Sequence, residues 1–141
     1  MMQLEPRQDL TFELPQGVVG LPQHRRFRLF SGARDGFYWL QSVEEPELGF
    51  VLVDPFPIFH GYAVDVSPAD LRDLGPYDRS ELLVLTVVTL GSGDVPRTTT
   101  NLRGPIVFNL RTHQAKQLVL SQSGLDMCAS FDPLPAVSEA V

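Results

Sequence analysis

The stretch Thr98-Thr99-Thr100-Asn101-Leu102-Arg103-Gly104-Pro105-Ile106-Val107-Phe108-Asn109, or TTTNLRGPIVFN, runs three threonines and an asparagine into a Gly-Pro break and then into an apolar segment. Threonine hydroxyls and an asparagine amide can bond to nearby backbone, so they suit the irregular lead into a strand. Gly104-Pro105 ends one extended piece. Beyond it Ile106, Phe108 and Leu110 fall on one face and Val107, Asn109 and Arg111 on the other, the two-residue period of a strand. Thr112-His113-Gln114 reads as a turn and Ala115 to Leu120 as the returning arm, which makes a hairpin.

The same period recurs on both sides of that hairpin. Leu10, Phe12 and Leu14 alternate with Thr11 and Glu13 until Pro15 and Gly17 close the run. Phe27 and Leu29 alternate with Arg26 and Arg28. The aromatic-rich FYWLQSV, Phe37 to Val43, follows the turn-like Ala33-Arg34-Asp35-Gly36. Leu48 to Val53 is short and nearly all apolar, as a strand buried on both faces would be. Tyr62, Val64 and Val66 alternate with Ala63 and Asp65, and Glu81 to Leu90 resumes the rhythm before the Gly91-Ser92-Gly93-Asp94 loop.

One helix is predicted over Ser67 to Gly75. Ser67 can cap the free amides, Pro68 suits the first helical position, and Asp70 can reach back while favouring the positive helix end. Gly75 and Pro76 stop it, with Leu71 and Leu74 facing inward. About eight strands and one short helix predict a mainly β fold: a small antiparallel, barrel-like single domain over residues 1–122, with a weakly ordered tail over 123–141.

Composition limits what such a domain can do. The 141 residues are 43% hydrophobic and 20% charged, an ordinary globular balance. The net charge of -6 argues against direct contact with nucleic acid or an anionic membrane and favours a basic protein partner. Cys128, the single cysteine, excludes a disulfide framework and suits a reducing compartment. MMQLEPRQDL has charge where a secretory signal is apolar, and Leu82 to Leu90 falls short of the roughly 20 residues that cross a bilayer, so a cytoplasmic location is expected.

Candidate chemistry is sparse. His24, His60 and His113 sit in separate turns without metal-ligand spacing, and read as solvent-exposed turn residues. Thr98, Thr99 and Thr100 lack the adjacent base or chain terminus that a threonine nucleophile needs. Gly91-Ser92-Gly93-Asp94 lacks the lysine and helix of a phosphate loop. No catalytic residue, metal or cofactor is therefore assigned. By contrast, Asp54-Pro55-Phe56-Pro57-Ile58-Phe59-His60-Gly61-Tyr62 carries three aromatics and an isoleucine through two prolines that cannot continue a central ladder. Such a segment either folds back to seal the barrel or offers its apolar groups to a partner. Asp54, Pro55, Phe56, Ile58, Phe59 and Tyr62 are the candidate partner-binding residues there, joined by Thr98, Thr99, Asn101 and Pro105 at the rim of the opening stretch. A competing expectation is a metabolite held between the 54–62 loop and Phe37, Tyr38 and Trp39, since small barrels can hold one ligand.

Five pieces carry a resemblance: LPQGVVGL (Leu14 to Leu21), YWLQS (Tyr38 to Ser42), FVLVDPF (Phe50 to Phe56), TTTNLRGPIVFN and QAKQ (Gln114 to Gln117). In this order, across Phe12 to Leu120, the sequence resembles the FliW family of bacterial flagellar assembly factors. The resemblance implies a β-barrel-like protein without catalytic activity. It also implies binding to CsrA, a small dimeric RNA-binding translational regulator, which relieves repression of flagellin messenger RNA. Flagellin is implied as a second partner in a switch that couples translation to filament assembly. Two positions depart from the family, which commonly has Ala at Gly104 and Asn at Asp54, and little likeness extends beyond Ser121. Asp54 thereby adds a charge to the loop assigned to binding.

Overall fold

A computed structural model describes residues 9–18, 20–32, 34–64, 67–91, 97–121 and 124–132. The strands are β1 (Asp9–Glu13), β2 (Arg26–Ser31), β3 (Phe37–Ser42), β4 (Gly49–Val53), β5 (Leu82–Thr89), β6 (Thr99–Thr100), β7 (Ile106–Asn109), β8 (Gln114–Gln117) and β9 (Ala129–Ser130), with helix α1 (Pro68–Leu71) between β4 and β5. They form one sheet in the order β4-β3-β2-β1-β8-β7-β5-β6-β9, and a further β4–β5 pairing closes seven of them into a barrel.

β5 is the long member and serves two edges. Its first half pairs with β7, Leu85 opposite Ile106, while its second half pairs with β4, Val88 opposite Val51. β6 joins β5 at Val88 and Thr89, across from β4 and therefore in line with β7. The quoted stretch is thus two short strands laid along one side of β5, separated by the excursion 101–105. Among the described residues all strand pairings are antiparallel except one. β1 meets β8 in parallel at Glu13 and Gln114, where the Glu13 N–H donates to the His113 carbonyl at 2.9 Å. That join unites segments a hundred residues apart that no turn connects, and it completes the antiparallel, barrel-like fold expected from the sequence.

Period two sorts the side chains as predicted. Phe12, Phe27, Leu29, Leu40, Leu83, Leu85, Ile106 and Phe108 fill the barrel interior and are wholly buried. Each such phenylalanine or leucine contributes about 1.5–3 kcal/mol on leaving water. The outer faces of β5 and β7, through Leu82, Val84 and Val107, are covered by Leu71 and Leu74 together with Leu118 and Leu120. The helical segment lies on the outside of the barrel. It begins with the expected capping box: the Ser67 hydroxyl accepts from the Asp70 N–H, and the Asp70 carboxylate accepts from the Ser67 N–H. After Leu71 the helix tightens to a 3₁₀ turn over Arg72–Leu74, and Gly75 ends it at φ 78°.

Two expectations change. Tyr62 to Val64 is not a strand, and Asp65 and Val66 lie outside the described residues. The expected tail does not begin at 123. Residues 124–132 are built into the fold, with β9 pairing on β6 and the Leu102 N–H donating to the Asp126 carbonyl at 3.0 Å. Gln122, Ser123 and 133–141 lie outside the described residues, as does Ser92 to Pro96 of the predicted Gly91–Asp94 loop.

Candidate interaction surface

Asp54 ends β4 and shapes the loop that follows. Its N–H donates to the Gly36 carbonyl at 2.8 Å, and its carboxylate accepts from the Phe56 N–H at 3.2 Å. Pro55 and Pro57 have no N–H to offer a ladder, so the chain turns locally. The Ile58 and Phe59 amides both donate to the Pro55 carbonyl, and Tyr62 N–H donates to that of Phe59. Burial raises the Asp54 carboxyl above its ordinary value, with the Phe56 N–H pulling the other way less strongly.

The loop divides its apolar groups. Phe56 and Tyr62 pair with ring centres 5.5 Å apart, and the Tyr62 hydroxyl donates to the Leu102 carbonyl at 2.7 Å. Burial pushes that phenol up to about 12. Phe59 meets Phe131 edge-on at 6.2 Å, and Phe131 in turn stacks on Phe37 at 6.4 Å. Ile58, at 37% exposure, projects outward. Phe56 also forms one wall of a groove of about 510 Å³ between the loop, α1 and the barrel, floored by Leu71, Leu82, Val84 and Val107 with Tyr77 and Arg79 at its rim.

The opening stretch supports this surface from beneath. The Thr98 hydroxyl accepts from the Gly91 N–H at 2.9 Å, and the Thr98 carbonyl accepts from Phe131 N–H. The Thr100 hydroxyl donates to the Val87 carbonyl at 2.8 Å and lies 2.7 Å from the Thr86 hydroxyl. The Asn101 carboxamide oxygen accepts from the Arg103 N–H at 3.0 Å, while the Gln117 amide donates to the Gly104 carbonyl at 3.0 Å. A Cβ on Gly104 would stand 2.9 Å from the Asn101 amide nitrogen and 3.0 Å from that of Gln117, so both amides have settled into the space a side chain would take.

The candidate residues therefore separate by depth. Ile58 is exposed, and Phe56, Phe59 and Tyr62 are half-buried. Thr99 and Asn101 are half-buried as well. Asp54, Pro55, Thr98 and Pro105 are buried and offer a partner almost no area. Their burial follows from register: each sits where a strand ends against another element, and backbone bonding fixes it there. Phe131, which the sequence reading left in a tail, is the missing member of the group. It fills the space between Phe59 and Phe37 where a metabolite was expected, and Tyr38 turns into the barrel. No periodic run beside Phe131 gave a signal, because β9 is only two residues long.

The histidines stay apart. His60 is exposed, but His24 is half-buried with Nε2 3.5 Å from the Glu45 carboxylate, and the His113 ring tilts over Phe12 at 5.4 Å. Tertiary packing thus overturns the solvent-exposed reading for His24, while His113 stays exposed at its turn. Among the described residues no three His, Cys, Asp or Glu side chains converge. No helix among them is long and apolar enough to cross a membrane.

Comparison with known proteins agrees with this architecture. The profile of the family described as "FliW protein" matches residues 1–130. The chain is 33% identical over 122 residues to the flagellar assembly factor FliW of Natranaerobius thermophilus, covering 86% of this chain and 81% of that one. It is 41% identical over 110 residues to that of Geobacter sulfurreducens, covering 78% and 69%. A crystal structure of a flagellar assembly factor FliW superposes with a TM-score of 0.78 at 27% identity, covering 94% of this chain and 91% of that one. Barrel, capped outer helix and sequence together place this chain in the FliW family of flagellar assembly factors.

Proposed function

We propose that this protein works by binding other proteins and not by catalysis: in the cytoplasm it sequesters CsrA, relieves repression of flagellin messenger RNA, and exchanges CsrA for flagellin. Family membership across residues 1–130 carries the reading. The loop 54–62 supports it, because its prolines hold Ile58 outward while Phe56, Phe59 and Tyr62 anchor it from within. A rigid apolar projection of that kind suits an interface, where a few well-supported apolar residues dominate the binding energy. The net charge of -6 suits a basic partner approached through long-range attraction.

Titration calorimetry with the cognate CsrA tests the reading directly. A defined complex is expected, displaced by flagellin; no heat with either protein at tens of micromolar would refute it. Ile58→Asp separates binding from folding better than Phe59→Asp, because Phe59 also packs on Phe131. Ile58→Asp is expected to weaken the CsrA complex by about ten-fold or more while melting within a few degrees of the unchanged protein.

A further inference from the structure

The outer face of β2, β3 and β4 holds a second groove, of about 340 Å³, lined by Phe30, Trp39, Gln41, Pro46, Glu47 and Gly49. Phe30 and Trp39 are cross-strand partners, so alternation turns both rings outward while Leu29 and Leu40 fill the interior. The far wall is rigid. The Gln41 side-chain amide donates to the Pro46 carbonyl at 2.7 Å, Leu48 N–H donates to the Glu45 carbonyl, and Ser42 N–H donates to that of Leu48. The polar groups facing this aromatic wall are Gln41, already bonded to the turn, and the exposed carboxylate of Glu47.

Glu47 makes no ion pair among the described residues. Arg28, an outward cation opposite Gln41 in the register, is already held by Asp9. An indole face and a free carboxylate across a side-chain-sized space complement a planar cation, which can stack on the ring and give its N–H groups to the acid. We propose that this groove receives an arginine side chain of a basic protein partner, its guanidinium over Trp39 and bonded to Glu47. The inference rests on the protein-binding reading above and adds a second contact point to it. A lysine fits less well, since its compact, strongly hydrated ammonium gains little from a flat wall.

Trp39 is the single tryptophan, so its fluorescence reports on the groove and on the outer cluster against which the ring packs. The full chain is titrated with acetyl-Gly-Arg-Gly-amide and with its citrulline counterpart, a neutral near-isostere, while backbone amide spectra are followed. A saturable fluorescence change and shifts confined to Phe30 and residues 39–49 are expected with the arginine peptide. The citrulline peptide should be silent, and Glu47→Gln should weaken the response about three- to five-fold. Equal response to both peptides, no saturable change, or indifference to Glu47→Gln overturns the proposal. A CsrA titration of the unchanged protein keeps the two readings separate. Silence toward CsrA defeats the proposed function alone, whereas silence toward arginine defeats the groove even where CsrA binds.

Discussion

Asn109 is wholly buried at the end of β7, and every one of its side-chain bonds is made. Its amide donates to the carbonyls of Leu74 and Pro76 at 2.9 and 3.1 Å, and its oxygen accepts from the N–H groups of Arg111 and Thr112 at 2.8 and 3.2 Å. One residue therefore ties the end of the helical segment to the β7–β8 turn. Asn109→Ala removes four hydrogen bonds to backbone groups, of which the Leu74 carbonyl alone keeps a second partner in the Thr112 hydroxyl, and is expected to cost about 2–4 kcal/mol, a fall in Tm of about 10 °C by calorimetry. Asp54 works in the opposite direction. Because its folded carboxyl titrates above the ordinary 3.8, the native state holds the proton to higher pH than the unfolded chain. Stability from this group is lost as pH rises through that interval, and the deficit stands in full at neutral pH. Asp54→Asn keeps the acceptor for Phe56 and removes the charge. It is expected to raise stability at pH 7, with the gain shrinking as pH falls toward 3.8 and gone below it; a urea series at several pH values that shows a constant or growing gain would contradict this.

At the level of elements, Phe131 decides whether the 54–62 loop is held. It follows β9, bonds through its N–H to Thr98, and carries Phe59 and Phe37 on its ring. Phe131→Ala is expected to cost about 1–3 kcal/mol and to speed amide exchange in 54–62 and β6 ahead of the barrel strands β2 and β3. Uniform acceleration throughout would show no such local role. The same element marks where sequence reading stopped. Strands such as β1 and β2 were legible because Phe12, Phe27 and Leu29 alternate with charged neighbours, and the helix start was legible because Ser67, Pro68 and Asp70 each have a local job. β9 is two residues long and has no period to detect. The alternation at Tyr62 to Val64 misled because Tyr62 is placed by a hydroxyl bond to Leu102, forty residues away. Likewise the irregularity of TTTNLRGP was plain, but the burial of Thr98 and Pro105 depends on β5 lying alongside, which no local pattern announces.

Across the whole molecule, charge and shape do different work. The apolar interior and the two outer clusters account for rigidity, while the net charge of -6 acts at distance. Association with the proposed partner is therefore expected to slow about ten-fold between low and high salt, with dissociation changing much less, as stopped-flow mixing would show. An unchanged association rate would assign the charge to solubility alone. The candidate surface, too, belongs to the whole. Its visible part, Ile58 on a proline-shaped loop, was readable from composition, whereas its foundation draws on residues 37, 98–105 and 131 at once.

The single rung between Glu13 and Gln114 works as a clasp, and it sets a timetable. A polypeptide emerging from the ribosome cannot fasten the ring before residue 114 is available, and Phe131 follows later still. Unfinished copies consequently lack both the closed ring and the propped loop, so a nascent chain has nothing complete with which to intercept a partner. Competence arrives only once residue 131 has been made.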